Sequence, residues 1–310
     1  MMLASVLLAA GLLGCSGSVG HSGMEQPVPL GTLHRLPAGV FYVLAGRPNI
    51  YSANVWAITS SGREVQLTHN RVGFGISWMS ASSAGIIMAD ASNGVDELAR
   101  LTSRGAQWMP VGRTGQPQIH GQAPAIDDSG EITYSVPPSN SGPAHNDNSV
   151  WVASSFSSPG RIIYKQAGDL AGEGFGPGGQ IAIMDRPYDP PLNDKRAQVL
   201  IIAPDGRVRT VDTDFWQLAG VAWRPNATAL AVSSVSRNTE LIFNGGRDQL
   251  LPKGWQAMTW SPDGNKLLVQ KGRQLGLWSA AEPRRVMTLG ATSRQYTVLN
   301  VAWLSRRAPL

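Results

Sequence analysis

Short apolar runs alternate along the chain with clusters of Gly, Pro, Asn and Asp, and no long stretch repeats apolar residues at i, i+3, i+4 and i+7. This punctuation predicts many strands joined by tight turns. The clearest instance is Trp260-Ser-Pro-Asp-Gly-Asn-Lys-Leu-Leu-Val269. An apolar run carrying a Trp stops at Ser-Pro-Asp-Gly, and a second run follows at once. Pro presets φ, Asp bonds locally and Gly accepts a positive φ, so the stretch reads as strand, turn and strand.

The pattern recurs. Gly220-Val-Ala-Trp223-Arg-Pro-Asn precedes the run Ala229–Val232. Gly75-Ile-Ser-Trp78 keeps the Trp, Ala123-Pro-Ala-Ile126-Asp-Asp-Ser-Gly130 keeps the turn, and Gly174-Phe175-Gly-Pro-Gly-Gly is the most degenerate copy. Asn300-Val-Ala-Trp303 is the last. The anchors at 78, 126, 175, 223, 260 and 303 are separated by 48, 49, 48, 37 and 43 residues. A period of about 40–50 residues built from short strands is that of propeller blades.

Each interval holds the further strands a blade needs. Lys266–Gln270, Leu275–Ser279 and Arg285–Leu289 follow Trp260, for example, and Gln180–Met184, Gln198–Ile202 and Val208–Val211 follow Phe175. Gln107–Val111 is the expected outer strand after Trp78. Val40–Leu44, Asn54–Ile58 and Glu64–Thr68 look like the second to fourth strands of a blade that lacks its first, and Val298–Leu304 is a first strand without successors. Pairing them removes open edges. The expectation is an all-β, six-bladed β-propeller spanning 36–310, its ring closed by the C-terminal strand joining the N-terminal strands.

The amino terminus has a different character. Residues 1–14 are apolar or small and end Leu12-Leu13-Gly14 before Cys15, the only Cys of the chain. A run this short is a secretory segment, not a spanning helix. Leu-Leu-Gly-Cys resembles the lipobox of bacterial lipoproteins. That resemblance implies removal of residues 1–14, acylation of the Cys15 sulfur and an anchor outside the cytoplasm, on the periplasmic or cell-surface side. Residues 15–35, rich in Gly, Ser and Pro, then read as a flexible tether. A sole thiol at this position leaves no disulfide to form.

Trp-Ser-Pro-Asp-Gly followed by a strand resembles the repeat of the TolB-like propellers. Asn54-Val-Trp-Ala-Ile-Thr-Ser-Ser-Gly-Arg-Glu-Val-Gln-Leu-Thr68 is similar to that family's third strand, Gly turn and closing Leu-Thr. The resemblance runs over roughly 36–304.

Composition narrows the chemistry. A net charge of +5 with its basic residues scattered describes a mildly basic surface and gives no nucleic-acid patch. There is no Gly-x-Ser-x-Gly elbow, no phosphate loop and no His-x-x-x-His metal spacing. No cofactor and no metal are therefore expected.

Long loops on a rigid scaffold are the places to look for binding. In a four-stranded blade, the loops before strand one and between strands two and three share a face. Two long ones there, 137–148 and 186–195, carry Asn140, His145, Asp147, Tyr188 and Asp189. Loops entering first strands on that face carry Phe74, His120, Trp216, Trp255 and Tyr296. Together these form the expected partner or ligand face.

The function expected is a monomeric, lipid-anchored, non-catalytic protein-binding or scaffolding module of the cell envelope. Its partner would be another envelope protein, or a cell-wall glycan stacked on Trp216 and Trp255. The alternative is a channel-mouth enzyme of the lactonase, lyase or glycan-hydrolase type, with His120, Asp127, Glu173 and Asp214 as its candidate groups.

Overall fold

The computed structural model describes residues 35–36, 39–45, 53–58, 64–68, 76–90, 97–102, 105–108, 122–136, 147–167, 169–186, 196–225, 229–236, 238–243, 246–291, 297–304 and 308–309. Strand β1 (Arg35–Leu36) precedes β2 (Gly39–Ala45), β3 (Asn54–Ile58) and β4 (Glu64–Gln66). The next group is β5 (Ile76–Ser82), β6 (Gly85–Asp90), β7 (Glu97–Thr102) and β8 (Gly105–Trp108). Then come β9 (Gln122–Ile126), β10 (Ile132–Val136), β11 (Asp147–Ala153) and β12 (Arg161–Ala167). β13 (Asp169–Phe175), β14 (Ile181–Arg186), β15 (Gln198–Ile202) and β16 (Val208–Asp212) follow. The last full groups are β17 (Leu218–Trp223), β18 (Ala229–Ser234), β19 (Thr239–Phe243) and β20 (Gly246–Leu250), and β21 (Gln256–Trp260), β22 (Leu267–Lys271), β23 (Gln274–Trp278) and β24 (Val286–Ala291). β25 (Thr297–Leu304) and β26 (Ala308–Pro309) end the chain.

These strands make six four-stranded antiparallel sheets and one two-stranded ribbon, β1 with β26, among the described residues. Five of the larger sheets are consecutive in sequence. The sixth has the order β25-β2-β3-β4, with Gly39 opposite Leu304 and Val43 opposite Asn300. First strands are neighbours in the order β25, β5, β9, β13, β17, β21 and back to β25. The fold is an all-β propeller.

The core lies between sheets, which explains the composition of the second strands. Both faces of a second strand are covered by neighbouring sheets, so it reads as a continuous apolar or small run instead of alternating. All of Ala229–Ser234 is buried. Six apolar clusters each join two adjacent sheets. One packs Val55 and Ala57 of β3 and Ala302 of β25 against Ile86 and Met88 of β6. Another sets Val150 of β11 against Ile183 of β14 and Leu200 of β15.

Outer strands are kept from pairing further. β12, β20 and β24 each carry a register shift against the third strand, a device that twists an edge away from new partners. β16 has no shift in register but places Arg209 and Asp212 on its exposed edge.

Most strand expectations agree with the structure to within a residue or two. The main displacements are β8, which runs Gly105–Trp108 against the expected Gln107–Val111, and β20, which starts at Gly246, three residues before the expected Gln249. β12 continues to Ala167, past the expected Tyr164. The ribbon β1–β26 begins at Arg35, a residue that composition assigned to the tether, and extends the β25–β2 pairing by two further residue pairs.

Candidate central cavity

Five of the first strands, β5, β9, β13, β17 and β21, run into hairpins that join them to their second strands, and these hairpins are built locally. In Ser261–Lys266, the Ser261 Oγ donates to Asp263 Oδ1 at 2.5 Å and accepts from the Lys266 N–H at 2.9 Å. The Asn265 N–H and side-chain amide both donate to the Asp263 carboxylate. The Ser261 hydroxyl, and then the Asn265 N–H, hold the Asp263 carboxyl below the usual carboxylate range. Gly264 has φ +69, the left-handed region that Gly enters at no steric cost. Asp127 repeats the scheme, accepting from the Ser129 N–H, the Ser129 hydroxyl and the Glu131 N–H. Asp263 and Asp127 are turn-makers here.

Neighbouring hairpins are latched together. Arg224, after β17, donates from Nε to the Gly264 carbonyl at 2.7 Å and lies 5.4 Å over the Trp260 ring. The Trp260 indole N–H donates to the Ala222 carbonyl of the preceding sheet at 3.2 Å. Ser82 Oγ donates to the Asp127 carbonyl, and Ser83 donates from both N and Oγ to Asp128. Trp223 lies flat against Gly176, where a Cβ would stand 2.5 Å from the indole Cε2. The degenerate Gly174-Phe-Gly repeat is therefore degenerate for a reason: the next sheet's Trp occupies the space a side chain would need.

These strands enclose a cavity of about 430 Å³. Its lining takes in most of β17 and β21, the middle of β25, the C-terminal parts of β5, β9 and β13 and several of the hairpins that follow, and no residue that precedes a first strand, so it extends toward the hairpin face. All of the repeat anchors line it: Trp78, Ile126, Phe175, Trp223, Trp260 and Trp303. Ser80, Ser82, Thr259 and Asn300 add polar groups, and Leu299 presents a side chain about two-fifths exposed. The carboxylates of the lining, Asp127 and Asp128, are engaged in the turn and the latch already described.

The residues expected to form a binding face on the opposite side are only partly placed. His120, Asn140, His145, Tyr188, Asp189, Tyr296, Phe74 and Cys15 lie outside the described residues. Asp147 opens β11, opposite Ala167. Trp216 is 44% exposed, with the Arg196 guanidinium 4.6 Å over its ring, and Arg196 also donates to the Asp214 carbonyl.

Trp255 is a correction. It is only 8% exposed and packs in a core cluster with Trp260 and Trp278, its ring against Gly276. It fills space within its sheet and does not offer a stacking platform. Of the candidate catalytic groups, Asp127 sits in the hairpin after β9, whereas Asp214 precedes β17 at the opposite end of the strands, and His120 lies outside the described residues. The cavity has an aromatic lining of its own, made by the repeat anchors and separate from the expected loop-face aromatics.

Among the described residues, no helix is long and apolar enough to cross a membrane. Neither a family model nor a curated protein matches the sequence. Solved structures do match. A chain from the crystal structure of a nidogen/laminin complex aligns at 12% identity and TM-score 0.62, covering 85% of this chain and 98% of that one. TolB from Acinetobacter baumannii aligns at 14% identity and TM-score 0.64, covering 86% of this chain and 66% of TolB. The six sheets, their order and these alignments converge on one conclusion: the chain has a TolB-like β-propeller fold.

Proposed function

We propose that the chain is a six-bladed propeller, closed by β25 joining β2, that acts as a lipid-anchored binding module on the outer side of a bacterial membrane. It carries out recognition, not catalysis. Its central cavity takes an extended polypeptide segment of another envelope protein. The observation that carries this reading is the cavity of about 430 Å³ lined by all six repeat anchors. A concave site with aromatic walls and a few polar groups is the usual form of a binding pocket. Its carboxylates are committed to hairpin structure, so what it offers a partner is the aromatic surface of its less buried anchors, hydroxyls, one amide and the Arg224 guanidinium. Cys15 in its lipobox-like setting supports the anchor. The loops 137–148 and 186–195 are a second contact region on the other face.

Capture from envelope extract tests this with variants that fill the cavity from accessible positions. Leu299→Glu and Ala219→Glu place a charge in the lining at exposed sites. Partners retained by the native protein should be lost with both variants while the melting temperature is unchanged. An identical partner profile for native and variant proteins would sink the cavity as the site. Loss only on deletion of 137–148 or 186–195 would move it to the loop face.

A further inference from the structure

The ribbon β1–β26 fixes where the chain enters and leaves the propeller. β25 runs toward the hairpin face, as every first strand does, and ends at Leu304 opposite Gly39. A few residues on, Leu36 pairs with Ala308 and Arg35 with Pro309. Both chain ends are thus held together on the hairpin face, the face toward which the central cavity lies. The connections between second and third strands, including the two long loops, are at the other end of the strands.

The tether leaves from Arg35. Residues 16–34 separate it from Cys15 and are rich in Gly, Ser and Pro. A flexible chain of that length has a root-mean-square span of about 25 Å. That is comparable to the height of a propeller of four- to eight-residue strands, so the tether reaches the bilayer most readily from its own face. Turning the opposite face to the membrane requires the tether to run around the rim of the domain, which removes most of its conformations.

From this we infer that the hairpin face is the membrane-facing side of the protein. The cavity mouth is presented to the bilayer that holds the anchor, and the loops 137–148 and 186–195 point away from it. The inference rests on the anchor reading of Cys15, and it sharpens the partner. A segment that enters the cavity does so in the layer next to the lipid surface, so the partner is itself bound to, or emerges from, that same membrane.

Lysines report the orientation directly. Lys266 is exposed on the hairpin face, whereas Lys253, between β20 and β21, and Lys271, the last residue of β22, are exposed at the other end. Cys15 is the only Cys, so the full-length chain can be coupled through it to vesicles of phosphatidylcholine carrying a maleimide lipid. A second lipid bearing an amine-reactive ester on its headgroup then samples the near face, and modified lysines are quantified by peptide mass spectrometry. Lys266 should be modified several-fold more than Lys253 and Lys271, relative to their ratio with a soluble ester. Equal modification of the two ends, or an excess at Lys253 and Lys271, would overturn the orientation. The anchor reading is tested separately by the mass of the Cys15 peptide from protein exported by a bacterial host: an unacylated Cys15 would sink that reading whatever the lysines show.

Discussion

Replacing Gly176 with Ala isolates the contact that joins two neighbouring sheets. The backbone at Gly176 is extended, with φ −113 and ψ −175, so Ala meets no conformational penalty there. The new methyl instead meets the Trp223 ring, at 2.5 Å from Cε2, 2.7 Å from Cδ2 and 2.8 Å from Nε1. Ordinary carbon contacts begin near about 3.5 Å, so ring or strand must move by about 1 Å. The ring packs against the core cluster that holds Leu218, Leu230 and Val232 and also lines the cavity, so a shift of the ring relieves only part of the clash. Overpacking of this kind costs about 1–3 kcal/mol. Loss of glycine's freedom in the unfolded chain returns about 0.4–1 kcal/mol. A net destabilisation of about 1–2 kcal/mol is expected, a fall of roughly 2–4 °C in Tm for a domain of this size. Thermal and urea unfolding of Gly176→Ala, alone and combined with Trp223→Leu, measure it. With Trp223→Leu in place the methyl has space, and its cost should disappear. An equal cost in both backgrounds, or none in the native one, would refute the packing argument.

Tyr134 carries a buried hydroxyl with no hydrogen-bond partner among the described residues. Tyr134→Phe should therefore raise stability by about 1 kcal/mol, read as a higher urea midpoint, and a fall would show a missed partner. Burial pushes the Tyr134 pKa from the ordinary 10.0 up to about 12. Because the folded value is the higher, the associated stability is complete below pH 10 and is lost as pH rises toward 12. A spectrophotometric titration should show one tyrosine ionising later than the rest, together with unfolding. Asp263 has the opposite sign: its pKa lies below the ordinary 3.8, so its contribution is present above that value and is lost as pH falls below it. Asp263→Ala should flatten the acid limb of a Tm-versus-pH curve, and an unchanged limb would count against the hairpin bonding. Arg224→Ala removes the bond to Gly264 and the contact with Trp260, at an expected cost of about 1–2 kcal/mol by urea unfolding.

The strands were legible where both faces of a segment are buried or where a turn is chemically explicit. Ala229–Val232 and Leu267–Val269 are continuous apolar runs because sheets cover them on both sides, and Ser-Pro-Asp-Gly states its own turn. β13 was harder. Its sequence Asp-Leu-Ala-Gly-Glu-Gly-Phe has poor strand propensity; it is held by pairing with β14, and the Gly just after it makes room for the Trp223 ring, 47 residues away in sequence. The ribbon β1–β26 left no periodic trace, since two-residue strands cannot show one. The anchor-lined cavity was hidden for a related reason. A Trp that repeats every blade reads as packing, and so it is, as Trp260 and Trp223 show; only the packing of first strands beside one another reveals that the same residues also line a shared space. Arg224 gave no signal at all, because its latch joins hairpins 40 residues apart.

Closure of the ring is the point on which the propeller, its cavity and its orientation all depend. Phe41 stands opposite Ala302, and Tyr42 opposite Val301, across β2 and β25. Adjacent antiparallel pairs alternate between hydrogen-bonded and non-hydrogen-bonded types, so one of these two has the closer approach that suits a disulfide. The decisive measurement is mild oxidation of Phe41→Cys/Ala302→Cys and Tyr42→Cys/Val301→Cys, each in a Cys15→Ser chain, followed by non-reducing peptide mapping. Closure predicts an intramolecular disulfide in at least one of the two and a higher Tm for the oxidised form. Free thiols or intermolecular dimers in both would contradict it.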